Sequence, residues 1–262
     1  MITYFQIQKI SSEKTIPEDI IEKDYFIELL LTYLSSNVSF VNKVVFRGGT
    51  SLKKMYFPDY RFSEDLDFII EQKEELIEIE KILDEVLVNI AGDFPFKPLK
   101  NSDIKNDRLQ VFISYNVAPE IMITKQLKID IIKDAFIPSF SKRNIIFTYQ
   151  DFINLKNKLN TYKLESVASD KISRIMDIDK EVRDVYDLWY LLKLNNLEMT
   201  RVKNELKKRF GFNFYFQNLI EEINSPVFMK TWKTRLVNQV LGLPPYNLVV
   251  ADLKELIKMN FY

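Results

Sequence analysis

The stretch that most constrains this chain runs from Val44 to Ile70, VVFRGGTSLKKMYFPDYRFSEDLDFII. Val44, Val45 and Phe46 form a short apolar run suited to a buried strand. Gly48 and Gly49 predict a tight turn where backbone can approach a ligand closely. Thr50 fits the N-cap of a helix that continues through Ser51 and Leu52. After a loop holding Pro58, Arg61 and Ser63, residues Glu64 to Ile70 alternate acid and apolar, the period of a strand. Asp65 and Asp67 then leave one face, and Leu66 and Phe68 leave the other.

That arrangement has a chemistry. Two carboxylates two residues apart on a strand can share divalent cations, and hard oxygen ligands suit Mg²⁺ beside the phosphates of a substrate. The glycine turn and the helix start offer N–H groups to a phosphate oxygen. A glycine turn or an Asp-x-Asp pair is unspecific alone. In this order and at this separation they form a nucleotidyltransferase signature.

Composition narrows the alternatives. A chain of 262 residues, 47% apolar and 28% charged, can bury a substantial core as one large domain or two small ones. Cysteine and histidine are both absent. That removes disulfides, thiolate zinc sites, histidine bases and histidine metal ligands, so any metal must be held by oxygen. No cysteine fits a reducing cytoplasm. No apolar run reaches about 18 residues, so no membrane span is expected. The start, MITYFQIQKISSEK, lacks the apolar core of a secretory signal. Residues 1–140 carry 17 Lys+Arg and 23 Asp+Glu, and residues 141–262 carry 20 and 14. A net −6 followed by +6 fits a polyanionic substrate, and equally fits ordinary surface charge.

Along the chain, Pro17 to Leu34 reads as a helix with Pro17 in its first turn and acids at its positive end. Within it, Glu22-Lys23-Asp24-Tyr25 reads from spacing as a solvated face. Glu74 to Ile90 is a second helix, with Gly92 as its stop. Phe94 to Asp107 reads as a loop. Leu109–Tyr115 and Gln126–Ile132 read as adjacent antiparallel strands around Ala118-Pro119-Glu120. Asp130 lies between isoleucines in the second of them, where an unpaired carboxylate is costly and calls for a cation or hydrogen-bond donors. Asp134 lies past the apolar run and is the weaker substitute. A polar, aromatic connection spans Pro138 to Asn160. Helical patterning then fills the rest, which sets a domain boundary near residue 150. The helices expected there are Leu164–Met176, Lys180–Leu194, Arg201–Phe210, Gln217–Asn224, Val227–Leu241 and Leu248–Met259. Asp184 and Asp187, three apart, share a helix face. By spacing alone, Lys171 is an exposed helix lysine.

These pieces resemble the bacterial AbiEii-type nucleotidyltransferases, toxin-like members of the DNA polymerase beta-type superfamily. Phe46-Arg47-Gly48-Gly49-Thr50-Ser51-Leu52 with Arg61-Phe62-Ser63-Glu64-Asp65-Leu66-Asp67 is similar to the family's first motif, and Glu22-Lys23-Asp24-Tyr25 to the helix before it. Ile129-Asp130-Ile131 is similar to the second motif, and Leu164-Glu165 with Ala168 and Lys171 to the third. Arg183-Asp184-Val185-Tyr186-Asp187-Leu188 is similar to the fourth. The resemblance implies an α+β fold: a mixed sheet flanked by helices in 1–150, then a helical bundle in 151–262 that completes the cleft. It implies that Asp65, Asp67 and Asp130 hold Mg²⁺ or Mn²⁺. Gly48, Gly49, Thr50, Ser51 and Lys171 would contact the triphosphate. Arg61 would either join them or pair with Glu64. Lys171 and Asp184 would close the site, with Asp187 in support. It further implies nucleotide transfer from an NTP to an RNA end, notably tRNA, in the cytoplasm, with an antitoxin protein as partner.

A two-metal displacement matches these acids and needs no histidine. In it Asp67 and Asp130 serve the ion nearer the acceptor and Asp65 bridges both. Two alternatives stay open: transfer to a protein side chain or small molecule, and an NTP-binding protein without transferase activity.

Overall fold

The alternation of acid and apolar residues makes Asp65–Glu71 a strand, β2, at the centre of a seven-stranded mixed sheet. The computed structural model describes residues 1–118, 120, 123–194 and 196–261. The strands are β1 (Val44–Arg47), β2, β3 (Leu99–Lys105), β4 (Arg108–Tyr115), β5 (Lys125–Asp134), β6 (Phe140–Asn144) and β7 (Lys158–Tyr162). Their order across the sheet is β3-β4-β5-β2-β1-β7-β6. β2 runs antiparallel to β1 and parallel to β5, and β3, β4 and β5 form an antiparallel meander.

Register fixes the two faces. Phe46, Phe68 and Ile131 lie side by side across β1, β2 and β5, and Leu66, Ile129 and Val111 do so across β2, β5 and β4. All six are buried, and Phe40, Phe46 and Phe68 bring their rings together on this apolar face. The helices α1 (Tyr4–Lys14), α2 (Glu18–Ser36), α3 (Val38–Lys43), α4 (Gly48–Met55) and α5 (Leu76–Asp93) belong to the same unit, which ends at Thr161. Helix α2 supplies much of the core through Ile21, Tyr25, Phe26, Leu29 and Leu30, with Phe26 stacked on Tyr115.

The second unit starts at Tyr162 and is helical: α6 (Leu164–Ile175), α7 (Val182–Lys193), α8 (Met199–Phe210), α9 (Phe216–Glu222), α10 (Pro226–Leu236) and α11 (Tyr246–Phe261). An α+β chain with a mixed sheet followed by a helical bundle is therefore the observed architecture. No helix among the described residues is long and apolar enough to cross a membrane.

Several local expectations need correction. The expected loop Phe94–Asp107 contains β3, an edge strand that, among the described residues, pairs only with β4. Its mostly exposed residues cover little core, so they carry no apolar alternation. Asn106 and Asp107, both at positive φ (49° and 57°), make the tight turn into β4. The connection Pro138–Asn160 likewise holds β6 and the start of β7. Helix α5 passes through Gly92 to Asp93, since Gly92 does not adopt the left-handed conformation of a helix stop. The antiparallel pairing of β4 with β5 is as expected. In the turn proposed between them, Pro119 lies outside the described residues.

Candidate active site

The site is built where β1 runs straight into α4. Arg47 is the N-cap of that helix, and no side chain caps it. Thr50 is therefore not the cap: the helix starts two residues earlier, and the Thr50 hydroxyl instead donates to the Asp65 carbonyl. The Ser51 hydroxyl donates back to the Gly48 carbonyl at 2.8 Å. The first bond ties the helix start to the start of β2, and the second closes the first turn of the helix on itself.

Gly48 is needed for two reasons. Its φ is +76°, and a Cβ there would overlap Oδ2 of Asp67 and lie 3.0 Å from its Cγ. The Asp67 carboxylate is thus seated directly against the helix start, where the helix dipole favours negative charge. A Cβ on Gly49 would lie 2.6 Å from an Arg61 terminal nitrogen and 3.2 Å from the Ser63 hydroxyl. Arg61 is buried and donates to the Phe62 carbonyl at 3.1 Å. Gly48, Gly49, Thr50, Ser51 and Arg61 accordingly form one packed unit behind the β2 acids.

The polar face of the sheet carries the acids. In register, one row reads Gln110, Asp130, Asp67, Arg47 across β4, β5, β2 and β1. The next pairs Lys128 with Asp65. The strand predicted to hold a lone acid thus lies beside the Asp-x-Asp strand, and Asp130 sits next to Asp67. Two carboxylates so placed repel unless cations intervene. Here Arg108 intervenes. It lies one row further along β4, with its Nε 2.6 Å from Asp130 Oδ1 and a terminal nitrogen on Oδ2. Lys128 adds a longer contact at 3.6 Å. Burial alone would raise the Asp130 pKa, but the Arg108 and Lys128 contacts outweigh it and hold the carboxyl below its usual range. Asp130 alternates with Ile129 and Ile131 as expected, and its donors are basic side chains.

Among the described residues no three acids converge closely enough to hold a metal ion. The donor chemistry nevertheless fits a hard divalent cation. Asp65 and Asp67 share a face with Asp130 alongside, every donor is a carboxylate oxygen, and the chain contains no histidine or cysteine to favour a softer metal.

Around this face, Glu22-Lys23-Asp24-Tyr25 is not the solvated helix surface its spacing suggests. Glu22, Asp24 and Tyr25 are buried. Glu22 pairs with Lys125 at the start of β5, and Lys23 pairs with Glu64 at 3.2 Å, just before β2. Asp24 and Glu28 each lie 2.8 Å from the buried Lys54 of α4. The motif fastens α2 to both acid-bearing strands and to α4. Lys53 donates to the carbonyls of Pro58 and Tyr60, and burial pushes its pKa down to about 8.

In the second unit Lys171 is buried, not exposed. It lies 2.6 Å from Asp184 and 2.8 Å from Asp187, and Arg174 lies 2.9 Å from Asp184. The two acids of α7 reach α6 together, as their spacing predicts. Arg108, Lys54 and Glu28 were not recognised from sequence. Arg108 had a legible signal, since it alternates with the apolar Leu109 and Val111 and so shares the Gln110 face. Only the register with β5 brings it to Asp130.

Solved structures share this fold, two of them bacterial proteins. MenT4, a nucleotidyltransferase toxin from Mycobacterium tuberculosis H37Rv, matches with a TM-score of 0.72 at 16% identity, over 98% of this chain and 88% of its own. JHP933 from Helicobacter pylori matches with a TM-score of 0.58 at 15% identity, over 93% and 92%. At these identities the likeness is one of fold. No curated protein sequence matches the chain. The sequence model of the nucleotidyl transferase AbiEii toxin family, of type IV toxin–antitoxin systems, matches residues 29–256. That span takes in the glycine turn, the three sheet acids and the buried Lys171 cluster, and the chain belongs to the AbiEii nucleotidyltransferase toxin family.

Proposed function

We propose that this chain transfers a nucleoside monophosphate from an NTP to an RNA acceptor, a tRNA end in particular, using Mg²⁺ or Mn²⁺. The observation that carries this reading is the cross-strand placement of Asp67 beside Asp130, with Asp67 seated on the α4 start. In the reaction an acceptor hydroxyl oxygen bonds to the α-phosphorus, the bond to the β-phosphate breaks, pyrophosphate leaves, and the hydroxyl proton passes to water. Asp65, Asp67 and Asp130 would hold the divalent cation. When bound, it supplies Lewis acidity at the phosphate and lowers the pKa of the attacking hydroxyl.

The chain's own residues set the stage. Burial would push the Asp130 carboxyl up, but Arg108 and Lys128 hold it below its usual range, which suits a ligand rather than a proton donor. Gly48 and Gly49 let the Asp67 carboxylate and the Arg61 guanidinium close on the α4 start, whose N–H groups would take phosphate oxygens beside them, with Thr50, Ser51 and Arg61 holding that backbone in place. Lys171 and Asp184 are assigned to the reaction through the family motif, with Asp187 sharing the lysine. An antitoxin protein as partner follows from the family, and a cytoplasmic site of action from the RNA acceptor.

Incubation with each labelled NTP, Mg²⁺ and total RNA tests the reading. Label on RNA that is lost in Asp67→Asn supports it. Label on protein or on a small molecule replaces the acceptor. Triphosphate binding without transfer to any acceptor makes the chain a nucleotide-binding module.

A further inference from the structure

Asp130 cannot stand alone. It is only 8% exposed and adjoins a second carboxylate across the sheet. A desolvated acid in that position requires a cation at all times. Arg108 supplies it with a two-pronged contact. The partners are unequal in freedom. Asp130 is fixed in the middle of β5, whereas the Arg108 side chain is 48% exposed. Arg108 also opens β4, directly after the Asn106-Asp107 turn. The mobile partner is therefore the arginine.

We propose that Arg108 is the exchangeable counter-ion of Asp130: it holds the carboxylate while no metal is present, and passes to a phosphate of the NTP when a divalent cation takes the acids. The inference rests on the nucleotidyltransferase reading. The physical case has three parts. A guanidinium fork on both carboxylate oxygens and a divalent cation compete for the same negative charge and repel each other, so each weakens the hold of the other. A planar guanidinium fork matches a phosphate as well as it matches a carboxylate. Arg47 and Asp67 lie close enough to act electrostatically on Arg108, so its release is steered within a face that already carries both signs. The effects of Arg108 on metal and on nucleotide thus have opposite signs.

The full chain is tested with Mn²⁺ as probe, its binding followed by the loss of the free-ion paramagnetic signal. Arg108→Ala is expected to bind Mn²⁺ about tenfold tighter, because the competitor is gone, equivalent to about 1.4 kcal/mol. In saturating Mn²⁺ the same variant is expected to bind a non-hydrolysable NTP analogue about tenfold more weakly. Arg108→Lys, which keeps the charge without the fork, is expected to fall between on both measures. A disrupted fold would weaken both ligands together, and that result overturns the proposal. So does unchanged Mn²⁺ affinity in Arg108→Ala, while leaving the function reading intact. Failure of the unaltered chain to bind Mn²⁺ at all removes both.

Discussion

At the scale of single residues, the glycine at 48 carries the most information per atom. Its positive φ and its contact with the Asp67 carboxylate leave no room for a methyl group. Gly48→Ala is expected to lose about 1 kcal/mol from the left-handed backbone alone. It is also expected to displace Asp67, so transfer should fall far more than stability; a denaturant midpoint beside an activity assay separates the two. Lys53 gives a pH signature. Its folded-state pKa is near 8, against 10.5 for the ordinary amine. Between those values the unfolded chain binds more protons, so this lysine makes stability rise with pH, by about 2 kcal/mol from pH 7.5 to 9.5. Lys53→Met removes that component, and comparing the two chains by urea unfolding at each pH reads it out. A contribution that falls with pH, or none, would contradict the placement of the amine. Asp65, Asp67, Gly48 and Gly49 were legible because their types and spacing express their role. Arg108 and Lys54 were not, because their partners lie 22 and about 26 to 30 positions away in sequence and only the strand register or helix packing brings them together.

At the scale of elements, α4 is a short helix whose eight residues are all buried, two lysines among them. It is held by charge as well as by apolar contact. Lys54 answers Asp24 and Glu28 of α2, and Glu28 also accepts from the backbone N–H of Thr148 and of Tyr149. Lys54→Ala leaves two buried carboxylates without their cation and is expected to cost about 3–5 kcal/mol, measured by chemical denaturation. Neutralising the acids as well, in Asp24→Asn/Glu28→Gln/Lys54→Met, is expected to recover part of that loss. The strands show what periodicity can and cannot reveal. β2, β4 and β5 have one face in the core and alternate visibly. β3 and β6 are the outermost strands of the sheet, face water for most of their length, and leave almost no apolar pattern to read.

At the scale of the molecule, the sheet unit and the helical unit each gather their charged residues inward around a family motif. In the first, the adjacent acids Asp130 and Asp67 lie between Gln110 and Arg47, with Arg108 and Lys128 beside them. In the second, Lys171 and Arg174 meet Asp184 and Asp187. The α+β class was legible because helical patterning takes over completely in the last third of the chain, and the order of the motifs carried the family. The acceptor and the base are chosen by contacts that no spacing rule encodes. The central claim is nucleotide transfer that depends on the sheet acids. The direct measurement incubates the purified chain with Mg²⁺, each labelled NTP in turn and total RNA, beside an Asp67→Asn variant whose folding is verified by its denaturation midpoint. Label on a tRNA-sized band with the unaltered chain, and none with the variant, is the predicted result. Equal labelling by a folded Asp67→Asn chain would contradict the account.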